Sequence, residues 1–187
     1  MIDATDVSII LHENKFCSRT HLLRKKVFAI RNKTHEDAEK PRGEVRKTEQ
    51  MGRGITNEDR ALELFSEAYG PIQKPAEVKA STRYARLQGK PDAFMVERSE
   101  IVEVKCPVYP KPISEWVKFY FHQIQTYLEI YDRDACFLVV YDENKDSIDV
   151  ERVERDPDWL VRVRPALELF DHQVTHYAET GDHAIKK

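Results

Sequence analysis

The stretch Gly89-Lys90-Pro91-Asp92, ten further residues, then Glu103-Val104-Lys105 decides how this chain is read. Two short apolar runs lie inside it, Ala93-Phe94-Met95-Val96 and Ile101-Val102. Side chains on a strand alternate between faces. A strand through Ile101 to Cys106 therefore points Glu103 and Lys105 one way and Val102 and Val104 the other, toward a core. The polar Arg98-Ser99-Glu100 marks a turn, although without Gly, Asn or Asp its type is open. Folding about it brings Asp92 opposite Glu103 to Lys105, in one of two neighbouring registers.

An acid, a second acid and a lysine gathered from adjacent strands suit one kind of chemistry. Carboxylates are hard oxygen ligands for Mg²⁺ or Mn²⁺. Such a cation polarises a phosphoryl oxygen and activates water. A lysine beside it orients that water or stabilises developing charge. The alternative is a plain solvated strand face, which E-x-K produces often in a chain that is 34% charged.

Two helical stretches carry anomalies. Over residues 49–70, Met51, Ile55, Leu62, Phe65 and Tyr69 form one apolar stripe, and Glu58 sits inside it. A bare buried carboxylate is costly, so Glu58 either pairs with an interior cation or joins Asp92 and Glu103 at a metal. Over residues 113–131, Gln123 lies among Trp116, Tyr120, Tyr127 and Ile130. It is either a satisfied core amide or a group aimed into a cleft. Gln125 and His122 fall on the more polar side, and Tyr120 and Tyr127 read as core.

These motifs resemble the PD-(D/E)XK nucleases, and within them the phage lambda exonuclease and YqaJ-type viral recombinase nucleases. The resemblance rests on Met51-x-x-Gly54-x-x-x-Glu58-x-x-Ala61, Pro91-Asp92, Glu103-Val104-Lys105-Cys106-Pro107 and Tyr120-Phe121-His122-Gln123-Ile124-Gln125, followed by the apolar run 136–141. It implies that Asp92, Glu103 and the Val104 carbonyl hold Mg²⁺ or Mn²⁺, and that Lys105 is the catalytic lysine. Glu58 becomes the helix carboxylate that completes a second metal or orients water, and Gln123 the active-site glutamine. Relatives of the exonuclease type degrade one strand of duplex DNA from its 5′ end for recombination, some as rings, while others cut RNA or act as endonucleases. The implied partners are double-stranded DNA, a single-strand annealing protein and further copies of the chain. Lys90 departs from the small hydroxyl residue that contacts a terminal phosphate in exonucleases, which leaves 5′-end specificity open.

At 187 residues the chain reads as one nuclease domain, 1–187, with a core of ordinary size. No apolar run is long enough for a bilayer, and the acidic N-terminus lacks a signal-peptide pattern. Cys17, Cys106 and Cys136 are odd in number and far apart, which points to an intracellular, reducing compartment and away from a zinc or iron–sulfur cluster. Net charge is −3, yet residues 15–53 carry twelve Lys or Arg against five acids, and residues 132–187 eight against fourteen. The basic part is a surface for phosphates, with Arg19, Arg24, Lys25 and Arg53 as candidates, or else a solvated helix face.

Residues 3–12 and 19–30 read as short helices and 33–50 as a mobile loop. Strands are expected at 76–84, 93–97, 101–105 and 136–141, with an edge strand at 147–153. A last helix runs from Asp156-Pro157-Asp158 to about residue 179. The expected fold is α/β, a restriction-endonuclease-like core of order αβββαβ: a mixed sheet flanked by helices.

Overall fold

The computed structural model describes residues 1–33, 49–109 and 111–181; the side chains of residues 33 and 49–56 lie outside that description. The expected mobile loop therefore falls largely outside the described residues.

β1 (Ile2–Asp3) and a short 3-10 turn (Ala4–Asp6) lead into α1 (Val7–Ile10) and α2 (Arg19–Lys33). After α3 (Glu49–Tyr69) come four short strands, β2 (Ile72–Gln73), β3 (Lys79–Ala80), β4 (Leu87–Gly89) and β5 (Ala93–Met95). The rest is β6 (Glu100–Lys105), α4 (Ile113–Tyr131), β7 (Ala135–Asp142), β8 (Ser147–Glu154) and α5 (Trp159–Thr180).

The main sheet runs β2-β5-β6-β7-β8. β6 and β7 are parallel and the other pairs antiparallel. A parallel pair needs a crossover, and α4 supplies it. Alternation along β6 and β7 sorts the two faces. Val102, Val104, Phe137, Val139 and Tyr141 face Ala61, Leu62 and Phe65 of α3. Ile101, Cys136, Leu138 and Val140 face Ile124, Tyr127 and Leu128 of α4. Both faces are covered, so β7 is a near-continuous apolar run. A third core lies beyond α4, where Leu22, Leu23 and Val27 of α2 pack with Trp159, Val163, Leu167 and Phe170 of α5.

Two expectations need correction. The strand beside β5 is Ile72–Gln73, and residues 76–84 yield only β3, which pairs with β4 in a separate sheet of order β1-β4-β3. Ser81 stops that strand, because its hydroxyl accepts the N–H groups of Arg83 and Tyr84 at 3.1 Å each and turns the chain. The helix expected at 3–12 is reduced to a 3-10 turn and the four residues of α1. The capping box between Asp3 and Asp6 starts it, and His12, at φ 63°, follows its end.

Candidate active site

β5 and β6 pair through Ala93↔Val102 and Phe94↔Ile101. Extended by one residue, this register sets Asp92 across from Glu103, which resolves the two registers the sequence left open. The Val104 N–H donates to Asp92 Oδ2 at 2.7 Å, so the carboxylate continues the ladder where β5 has ended. By alternation Asp92, Glu103 and Lys105 all project on the side of α4.

Glu103 is 2% exposed. Its Oε1 accepts Gln123 Nε2 at 2.6 Å and also the Lys105 ammonium. Its Oε2 is buried with no hydrogen-bond partner. A buried carboxylate oxygen left in that state is costly unless something binds it. Burial pushes the Glu103 carboxyl up to about 8; Lys105 opposes the shift and Asp92 adds to it. Burial works against the charge on Lys105, but Glu103 and Asp92 outweigh it and hold the ammonium above the ordinary lysine range. Lys105 Nζ also lies 4.8 Å from the centre of the Tyr120 ring.

A third layer holds these groups. Gln123 Nε2 donates a second time, to the Tyr127 hydroxyl at 2.9 Å. The Tyr127 ring presses on Gly89, where an added Cβ would meet its Cε1 at 2.8 Å. The Tyr131 hydroxyl donates to the Gly89 carbonyl at 3.0 Å. One helix thus orients Glu103 and seats the strand that delivers Asp92. The sequence reading took Tyr127 as plain core; its i, i+4 spacing from Gln123 was the available signal.

Glu58 is not part of this cluster. Its Oε1 accepts Lys74 Nζ at 3.4 Å, and Lys74 also holds Asp59 at 2.6 Å. Among the described residues no three acidic, His or Cys side chains gather as a ready ligand set. The cause is topological: α3 covers the face opposite to the one on which Asp92 and Glu103 project. Gln125, expected on the polar side of α4, is 1% exposed. It is a satisfied amide that donates to the Glu154 carbonyl and accepts the Asp156 N–H, both at 2.8 Å. His122 likewise accepts Trp159 Nε1 at 3.0 Å. The end of β8 and the turn after it cover Gln125, and Trp159 of α5 meets His122, contacts that helical periodicity within α4 does not reveal.

The donors present suit a hard divalent cation. Two facing carboxylates, one with an unpartnered buried oxygen, form an oxygen site. Cys106 offers no thiolate, since burial pushes its thiol up to about 11. Val104, whose carbonyl the family resemblance assigns to the metal, lies on β6 between Glu103 and Lys105.

The basic candidates stand apart. Arg19 donates to Gln173 Oε1 at 2.5 Å and lies over the Phe170 ring, within the α2–α5 packing. Arg24 and Lys25 are exposed on α2, and the Arg53 side chain lies outside the described residues. Cys17, Cys106 and Cys136 are free thiols. Among the described residues no helix is long and apolar enough to cross a membrane.

Comparisons with known proteins bear on the family and the fold. The model of the YqaJ-like viral recombinase domain matches residues 1–134. An alkaline exonuclease from Laribacter hongkongensis is similar in structure, with TM-score 0.73 and 19% identity over 95% of this chain and 89% of that one. Its complex with dAMP gives TM-score 0.72 at the same identity and coverage. A phage related exonuclease from Haemophilus somnus 129PT gives TM-score 0.66 at 13% identity, over 97% of this chain and 96% of that one. Comparison with the curated proteins matched none. At these identities the structural likeness establishes the fold, a mixed sheet flanked by helices.

Proposed function

The chain belongs to the YqaJ-like viral recombinase domain family, and we propose that it is a Mg²⁺- or Mn²⁺-dependent nuclease that hydrolyses DNA phosphodiester bonds, a duplex-DNA exonuclease of the phage recombination type. One observation carries this reading: a pair of facing carboxylates, half-buried Asp92 and buried Glu103, with Glu103 Oε2 unpartnered beside Lys105. The exonucleases of similar fold support it.

A divalent cation held by Asp92, Glu103 and the Val104 carbonyl supplies Lewis-acid polarisation of the phosphoryl group. The chain's own residues do the rest. Lys105 stays protonated, so it donates to a phosphate oxygen and stabilises charge as it develops. Gln123 keeps Glu103 Oε1 engaged and leaves Oε2 free, and Tyr127 fixes Gln123. Glu58, on the helix that covers the other face, is held by Lys74 in an exposed salt bridge worth about 1 kcal/mol or less and takes no part in this account. Arg24 and Lys25, exposed on α2, meet phosphates outside the site, and Arg53 is a further candidate for phosphate contact.

End-labelled linear duplex and closed circular duplex, each with Mg²⁺ and with EDTA, test the reading. Loss of the linear DNA alone, only with Mg²⁺, is the expected result. Cleavage of circles or folded RNA marks an endonuclease, and cleavage undiminished in EDTA removes the metal from the account.

A pH dependence follows. A cation requires Glu103 ionised, and the free protein holds this carboxyl at about 8. Cation affinity should therefore fall by about tenfold per unit as pH drops below that value, with about one proton released on binding at neutral pH. Calorimetry in buffers of different ionisation enthalpy measures the released proton; its absence would mean that Glu103 is already ionised or does not bind the cation.

A further inference from the structure

A band of aromatic rings runs from open solvent to Lys105. Phe16, in the segment between α1 and α2, is 86% exposed and meets Phe119 of α4 edge-on at 5.8 Å. Phe119 stands edge-on to Tyr120 at 4.9 Å and to Trp116 at 6.4 Å, and Trp116 and Tyr120 stack at 6.0 Å. The band ends where Lys105 Nζ lies over Tyr120, and Lys111 Nζ lies 5.3 Å from the centre of the Trp116 ring. Tyr109, between the two lysines in the chain, is 73% exposed. Tyr120 joins the band to the carboxylate site through Lys105.

We propose that this band is a stacking surface for unpaired nucleobases of the strand whose phosphate enters the carboxylate site, an inference that rests on the nuclease reading above. Three features point to that occupant. The surface is continuous with Lys105, so a strand with its phosphate there has its neighbouring bases beside Tyr120, Trp116 and Phe119. Lys105 and Lys111 lie against the rings and Lys118 is exposed on the same helix, against one exposed acid, Glu115, while Glu13 is engaged by His122 at 2.9 Å. Its substance is flat π faces, which stack on bases of any identity and cost little ordering entropy.

The spacing selects unpaired bases. Steps of 5.8 and 6.4 Å between rings exceed the ~3.4 Å rise of stacked nucleotides in one strand. Bases that use successive rings must first leave the stack on each other. Within an intact duplex both faces of each base are already covered.

The test uses the full chain with Asp92→Asn, so that nothing is cut, and fluorescence anisotropy of a labelled ten-nucleotide single strand and of the same sequence as a blunt duplex. Phe16→Ala should weaken single-strand binding about tenfold and blunt-duplex binding by less than about twofold. Phe16→Trp should restore it. Because Phe16 is so exposed, its melting temperature should not move, which separates stacking from misfolding; Phe119→Ala is the second variant. Unchanged single-strand affinity in Phe16→Ala overturns the proposal, as does an equal loss for the duplex. Self-association of the parent chain that Phe16→Ala abolishes would show a contact between copies instead, and also overturns it. Cleavage by the chain with Asp92 intact is read separately. Cleavage together with Phe16-independent binding sinks only this inference, whereas no cleavage of any substrate sinks the nuclease reading.

Discussion

Asp92→Asn is expected to lower DNA cleavage by about 10³-fold or more while leaving the fold intact. The size follows from what the carboxylate contributes. A cation-stabilised transition state is worth several kcal/mol, and each 1.36 kcal/mol is about tenfold in rate. The fold survives because an Asn oxygen still accepts the Val104 N–H, now 2.7 Å from Asp92 Oδ2. Asp92→Ala is the poorer experiment, since it leaves that N–H unpaired at about 1–3 kcal/mol and mixes stability with chemistry. Lys105→Ala should cost about 10²–10³-fold, the usual loss for one preorganised donor. Initial rates on end-labelled duplex, beside thermal melting of each variant, measure both. Activity within a few-fold of the parent chain in well-folded Asp92→Asn would refute the carboxylate assignment.

Gly89→Ala should destabilise the protein and impair the site together. The position needs no unusual backbone angle; its constraint is space. A Cβ there would lie 2.8 Å from Tyr127 Cε1, 3.1 Å from Tyr127 Cδ1 and 3.1 Å from Ala4 Cβ. Tyr127 is buried and hydrogen-bonded to Gln123, so its ring has no free direction in which to yield. Overpacking of this kind costs about 1–3 kcal/mol. For a chain of this length each kcal/mol moves the melting temperature by about 2–4 °C. Any shift of Tyr127 also loosens Gln123 from Glu103, and any shift of Gly89 moves the Pro91-Asp92 segment. Residual cleavage measured well below the new melting temperature should therefore fall too. A variant that melts lower but cuts at the parent rate would show that α4 supports the fold without positioning the site.

How legible each element was follows from how local its cause is. Glu103 and Lys105 were placed on a common face because strand alternation belongs to the backbone and needs no partner. The link from Asp92 to Val104 was only half visible: a short hairpin brings the two strands together, but the register waits on pairing. Gln123 stood out because an amide on an aromatic stripe is anomalous within a single helix. Gln125 and His122 were misread for the converse reason, since the groups that meet them, the end of β8 with its following turn and Trp159, lie some thirty residues further along. Residues 76–84 looked like a strand from composition, and the Ser81 turn together with the pull of β4 sent them to another sheet.

Composition, alternation and the spacing of the two acids and the lysine determined that this is an α/β chain whose two acids and lysine come to one face of a strand pair. Such signals arise from neighbours within a few residues, and the chain carries them in any conformation. The tertiary structure alone decided which carboxylates meet. α3 and α4 lie on opposite faces of the sheet, so the stripe that holds Glu58 and the one that holds Gln123, alike in sequence, end differently: Gln123 bonds Glu103, and Glu58 stays with Lys74. The side of a sheet that a helix covers is set by chain crossover and by the apolar surface each face offers, and neither is written in one segment.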